Sequence, residues 1–141
     1  MNTSSGLRSS IRKLPPFTGF VIAGASPEPF LLRAVGPTLA SFGVAGTLSA
    51  PVLELFDSGG NPIATNAAWN SAPVAGTSAV PVVLQTATSG AMAAAGAFPL
   101  VSGSKDCAMI VTLPPGSYSA TVSGTGGKTG LILFELYCLA P

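Results

Sequence analysis

The chain has 141 residues, a net charge of +1 and no histidine, and only 8% of its residues are charged, against roughly a quarter in an ordinary soluble domain. That length suits one domain. The missing histidine excludes a Ser–His nucleophile, a histidine base and a histidine metal ligand, and the charge balance excludes a basic face for nucleic acid.

Residues 1–13 are polar and hold Arg8, Arg12 and Lys13, half of the six cations, and Pro15-Pro16 closes the segment. It reads as an N-terminal arm over 1–16, either solvated or docked on another subunit, ahead of one domain over 17–141. As a docked strand it would present Arg8, Ile11, Arg12, Lys13 and Leu14. Phe17–Gly24 reads as a strand, the prolines and serine of 25–29 as a turn, and Phe30–Val35 as the returning strand of a hairpin. Arg33 stands there in apolar company and is expected to bond carbonyls or a carboxylate. Gly36-Pro37 ends the strand, and Thr38–Phe42 suits one helical turn stopped by Gly43.

Pro51–Asp57 and Pro62–Thr65 read as strands about a tight Ser-Gly-Gly-Asn turn. Trp69 is expected to cap the core. Val80–Thr86 reads as a strand that Pro81 assigns to an edge, and Ser89–Ala97 as a short, Ala-rich helix weakened by its glycines. From Lys105 onward the signals are strongest. KDCAMIVTL is a strand and Pro114-Pro115-Gly116 a break, where Gly116 is expected at positive φ. Ser117–Ser123 alternates strictly, the mark of a half-buried strand. GTGGKT at 124–129 reads as a hairpin loop. Leu131–Cys138 is apolar on both faces except for Glu135, so something must cover it on both sides: a second sheet with residues 70–95, or a neighbouring subunit. Six to eight short strands with little helix predict an all-β, antiparallel β-sandwich of jelly-roll or Greek-key type.

Little chemistry is visible. The carboxylates Glu28, Glu54, Asp57, Asp106 and Glu135 show no acid–base spacing. Asp57 with Asn61 is too few ligands for Ca²⁺, and GTGGKT lacks the spacing and the following helix of a phosphate loop. Neither a metal nor a cofactor is expected. Cys107 and Cys138 both fall in strands and could form a disulfide in an oxidising compartment or remain buried thiols. Trp69, Tyr118 and Tyr137 could form a sugar-binding platform or serve as core. The longest apolar runs fall short of the roughly 20 residues of a membrane span, and no usual export signal is legible after Met1.

The strings LLRAVGPTLASFGVAGTLSAPVLELFDSGGNPIATNAAW (31–69) and GAFPLVSGSKDCAMIVTLPPGSYSATVSGTGGKTGLILFELY (96–137) resemble a β-rich module that recurs in large secreted and surface proteins of bacteria. More loosely, LELFDSGGNPIATN with TLPPGSYSATVSG is similar to bacterial pre-peptidase C-terminal β-sandwich domains. The resemblance implies a β-sandwich in an extracellular, structural or adhesive setting, and carries over no catalytic position. Together with the sparse charge, which leaves a surface poorly defended against self-association, it leads to the expectation of a non-enzymatic structural subunit. Such a subunit would form a homo-oligomer, filament, sheath or layer at the cell surface. The alternative is an adhesive or carbohydrate-binding module with a glycan partner.

Overall fold

The computed structural model describes residues 7–13 and 17–139, the backbone alone for 7–13 and 17. Ten strands form two five-stranded antiparallel sheets. They are β1 (Leu7–Lys13), β2 (Phe17–Ile22), β3 (Glu28–Val35), β4 (Pro51–Asp57), β5 (Pro62–Asn66), β6 (Val74–Ala75), β7 (Val83–Thr86), β8 (Cys107–Leu113), β9 (Gly116–Gly124) and β10 (Leu131–Cys138). Sheet I has the order β1-β10-β3-β8-β7 and sheet II the order β2-β9-β4-β5-β6. The expected all-β antiparallel sandwich is the fold observed.

The pairing has one organising rule. β1 pairs with β10, β2 with β9, β3 with β8 and β4 with β5. The chain is thus a double-stranded ribbon whose rungs fall alternately in sheet I and sheet II, which is the jelly roll. The Ser58–Asn61 turn is the tip of that ribbon, and β6 and β7 extend the two sheets beyond it.

This rule corrects two expectations. Residues 17–24 and 30–35 do not form a hairpin, because β2 lies in sheet II and β3 in sheet I. Nor is GTGGKT a hairpin loop. It leads from β9 in sheet II to β10 in sheet I through a single 3₁₀ turn at Thr125–Gly127. Among the connections that join one rung of the ribbon to the next, each crosses the sandwich, so neither of these can be a hairpin; the tip between β4 and β5 stays within sheet II. The turn at Asp57–Asn61 is a hairpin, closed by Asp57 N–H to Asn61 C=O at 3.0 Å.

The core between the sheets takes alternate residues: Phe30, Leu32 and Ala34 from β3, Met109 and Val111 from β8, and Ile132, Phe134 and Leu136 from β10. They meet Leu53, Leu55, Tyr118, Ala120 and Val122 from sheet II. A second core lies on the outer face of sheet I. There Leu31, Val35, Ala108, Ile110 and Tyr137 pack under Leu39 of α1 (Pro37–Ser41), Met92 of α2 (Ser89–Ala94), and Trp69, Ala97 and Leu100. So the apolar two-faced β10 is covered on one side by sheet II and on the other by a cap drawn from this same chain. Among the described residues no helix is long and apolar enough to cross a membrane.

Within the expected arm, residues 7–13 form β1, the edge strand of sheet I, in register from Leu7 opposite Tyr137 to Lys13 opposite Leu131. Arg8, Ile11, Arg12 and Lys13 therefore stand across from Leu136, Leu133, Ile132 and Leu131. Leu14 lies outside the described residues.

Candidate functional site

Polar side chains concentrate at three places, and each was built from a different pair of sequence motifs. The first joins RAVGPTL to SGSKD. Asp106, fully buried, accepts from the Gly36 and Thr38 amides at 2.8 and 3.2 Å and from the Thr38 and Ser104 hydroxyls. Thr38 Oγ1 in turn accepts from the Val101 amide at 2.9 Å. Pro37 starts α1 with a fixed φ and no donor to satisfy, so the two amides left at the helix start go to Asp106. Gly36 is required by approach: a Cβ there would lie 2.1 Å from the Leu48 carbonyl oxygen.

The second place joins the ribbon tip to the PPG corner. Asp57 Oδ1 accepts from the Gly59 and Asn61 amides and from Asn61 Nδ2, and its Oδ2 accepts from the Ser78 hydroxyl. The Ser78 hydroxyl, then the Asn61 amide, hold its carboxyl below the ordinary aspartate value, against a smaller opposing effect of burial. Every one of these neighbours turns a hydrogen toward the carboxylate, the opposite of what a cation site needs. Alongside, Tyr118 donates to the Pro114 carbonyl at 2.6 Å and stacks in tilted contact on Phe20 at 5.9 Å. This is a tyrosine corner in the sense known from β-sandwiches. Burial, then the Asp57 charge, push the Tyr118 phenol up. Gly116 has the positive φ expected of it, at the extended end of that range. Its φ of 159° is within about 20° of extended backbone, and it simply opens β9 opposite Ile22. A shallow cleft of about 230 Å³ lies here, lined by Val80, Pro114, Pro115 and Tyr118 with Asp57, Ser58 and Ser117. Its carboxylate and its phenol are already spent on internal bonds.

The third place is the buried ion pair under the cap. Arg33 and Glu135 are cross-strand neighbours on the outer face of sheet I, with Arg33 Nε 2.8 Å from Glu135 Oε1. Arg33 Nη1 donates to the Phe98 carbonyl at 2.7 Å and touches Met92 Sδ at 3.4 Å. Its guanidinium lies 4.5 Å from the Phe98 ring centroid. Glu135 Oε2 accepts from Tyr137 at 2.7 Å, and burial, then that bond, push the Tyr137 phenol up. Arg33 thus bonds both a carboxylate and a carbonyl, as its sequence context implied. It ties the cap to the sheet.

The remaining candidates are not brought together. Cys107 faces Ala34 across β3 and Cys138 faces Phe30 on the other side of that strand. Four residues of offset along β3 separate them by about 13 Å in that direction alone, whereas a disulfide needs Cα atoms within about 7 Å. No disulfide joins them. Burial pushes the Cys107 thiol up to about 12, so it is protonated at neutral pH and a poor nucleophile. Trp69, Tyr118 and Tyr137 are all buried, and Trp69 spends its indole N–H on the Val101 carbonyl at 3.1 Å. None offers a face to a sugar ring. Among the described residues no group of three or more His, Cys, Asp or Glu side chains could hold a metal.

What the fold does leave open are its edges. Sheet I ends in β1 and β7, and sheet II ends in β2 and β6. Natural sandwiches defend such edges with charges, bulges or covering loops. Here β2, β6 and β7 carry no charged residue at all, and each exposes a valine: Val21 at 51%, Val74 at 63% and Val83 at 56%. Sequence reasoning found the β7 edge through Pro81 but missed the others. β6 is only two residues long, and the edge position of β2 follows from topology alone. Comparison of the chain with protein-family models, with curated proteins and with solved structures finds no significant match.

Proposed function

We propose that this protein is a non-enzymatic structural subunit of an extracellular or cell-surface assembly, and that it self-associates through its sheet edges. The observation that carries this reading is that three of the four sheet edges, β2, β6 and β7, are uncharged and expose Val21, Val74 and Val83. An edge presents unpaired N–H and C=O groups that pair with any similar strand. A chain with 8% charged residues supplies little repulsion to prevent it. The setting outside the cell rests on the resemblance to modules of bacterial surface proteins. The polar clusters support a structural reading, because their acids, hydroxyls and phenols are engaged in holding turns, α1 and the cap.

Light scattering across a concentration series, with electron microscopy of the same samples, tests the proposal. The expected result is concentration-dependent growth, reduced at least several-fold by Val21→Lys with Val83→Lys. A monodisperse monomer at millimolar concentration overturns it.

A further inference from the structure

We infer that β2 is the edge through which two copies of this chain pair, each β2 running antiparallel to the other about a two-fold axis at Gly19, so that sheet II continues across both. The inference rests on the self-association reading above and names the surface and its symmetry. Four edges compete. β1 carries Arg8, Arg12 and Lys13, and two such strands side by side would set like charges together. β6 has two residues and β7 four, too few for a long ladder. β2 has six, Phe17–Ile22, with no charge and no proline and no register shift against β9. It is the longest edge that lacks the usual defences.

The ladders inside sheet II fix which backbone groups β2 turns outward. The Thr125 amide donates to the Ala50 carbonyl at 2.9 Å, one step beyond Pro51 opposite Gly124. Odd-numbered residues of β9 therefore bond β4, and even-numbered ones bond β2. Pro51, which has no N–H to give, falls on a rung that needs none. Thr18, Phe20 and Ile22, opposite Ala120, Tyr118 and Gly116, bond β9. Phe17, Gly19 and Val21 then direct their N–H and C=O groups away from the sheet. A second β2 centred on Gly19 meets all three: Phe17 with the second copy's Val21, Gly19 with its Gly19, and Val21 with its Phe17. Gly19 is the residue that points outside the chain. Its φ is not positive, and a Cβ there would meet only the Tyr118 carbonyl, at 3.9 Å. A glycine inside a strand weakens it and often marks the close approach of another backbone. Within this chain no backbone makes that approach, so the second copy supplies it. Val21, 51% exposed, stands on the same face of the strand. Such a contact is isologous and closes on itself. It joins two five-stranded sheets into one, and growth beyond the dimer falls to β6 and β7.

Disulfide trapping tests the axis. Residues opposite each other in a hydrogen-bonded antiparallel pair have Cα atoms about 5.5 Å apart, within disulfide reach. On a two-fold through Gly19 the single substitution Gly19→Cys sets two thiols opposite each other. Val21→Cys, at an equally exposed position of the same strand, sets them four residues out of register, about 13 Å apart. Both variants are made in a Cys138→Ser background and oxidised at equal concentration. The expected result is a covalent dimer formed at least about tenfold faster by Gly19→Cys. Equal rates, or a faster Val21→Cys, overturn the inference. Light scattering on the parent chain separates the two readings. Assembly without a preference for the Gly19 cross-link leaves association through other edges standing and removes the β2 pairing, whereas monomer throughout removes both. Should Gly19→Cys fail to fold, Val21→Lys alone is compared with Val83→Lys alone. A lysine on an edge blocks pairing there, so Val21→Lys is expected to lower the dimer fraction several-fold and Val83→Lys to leave it unchanged. A loss no greater in Val21→Lys than in Val83→Lys overturns the inference.

Discussion

Sheet I and sheet II have five strands each, yet they solve different problems. Sheet II faces the core on one side and is half-exposed on the other, so β4 and β9 alternate buried with less buried residues along their length. The inner strands of sheet I are buried on both sides: β3, β8 and β10 are nearly continuous runs of buried residues. Sheet I is therefore the middle layer of three: cap, sheet I, sheet II. The comparison teaches where a charge can be kept. The one ion pair described sits on the outer face of the doubly covered sheet, where each charge is met by the other, and Asp57 sits at the start of a solvent-facing turn of the half-open sheet, where amides and a hydroxyl meet its charge.

The largest effect should come from breaking the ion pair in the middle layer. Glu135→Ala leaves the Arg33 guanidinium buried without its carboxylate, a loss of roughly 3–5 kcal/mol. Replacing both partners, as Arg33→Met with Glu135→Leu, should recover most of it, because a buried pair pays heavy desolvation that an apolar pair does not. Urea denaturation midpoints of the two variants measure the contrast. Equal losses would show that the pair is not held as a closed unit beneath the cap.

The next comparison sets the two cores that sheet I separates against each other. Leu31 faces the cap and Leu55 faces the sandwich interior, and both are fully buried. Leu→Ala at either should cost roughly 2–5 kcal/mol. Comparable losses in thermal denaturation would establish the cap as a packed layer of the fold. A loss at Leu31 much smaller than at Leu55 would show that the cap yields to fill the space.

The same contrast explains what the sequence could convey. Ser117–Ser123 is legible because one face of sheet II meets water, and water imposes the alternation. Leu131–Cys138 is legible as a twice-covered strand for the opposite reason. The burial of Trp69 and the bonding of Arg33 also follow from composition alone, since a lone indole or guanidinium among apolar residues must find a partner. Sheet membership does not. Ser58–Asn61 and Gly124–Thr129 use the same turn residues, but one closes a hairpin and the other crosses the sandwich. The difference is made by strands far away in sequence that complete each rung. β1 shows no apolar pattern of its own, and its pairing depends wholly on β10. The RAVGPTL and SGSKD motifs are recognisable as strings, but only the fold shows that Asp106 unites them. The edges escape for the same reason as the hairpins, because an edge is a property of strand order.

A smaller effect is expected at the corner of sheet II. Tyr118→Phe removes the bond to the Pro114 carbonyl and keeps the ring against Phe20, so a loss of about 0.5–1.5 kcal/mol is expected. Chemical denaturation resolves it. A change within error would mean that the ring alone holds the corner.

The smallest effect should be one of pH at the ribbon tip, and it bears most directly on the contrast between the sheets. Asp57 is held below the ordinary aspartate value by the Ser78 hydroxyl and the Asn61 amide, which bind its ionised form. A carboxyl with a depressed folded-state pKa stabilises the fold fully above the unfolded value, near 3.9. That contribution is lost as pH falls below it and through the lower folded value. Thermal denaturation between pH 6 and pH 2 should therefore show a decline below about pH 4 in the parent chain that is shallower in Asp57→Asn. The asparagine can still accept the Gly59 and Asn61 amides but no longer titrates. An acid limb identical in both chains would place the titrating group elsewhere. The ribbon tip would then be held by its backbone bonds, Asp57 N–H to Asn61 C=O and Gly60 N–H to Asp57 C=O, and not by charge.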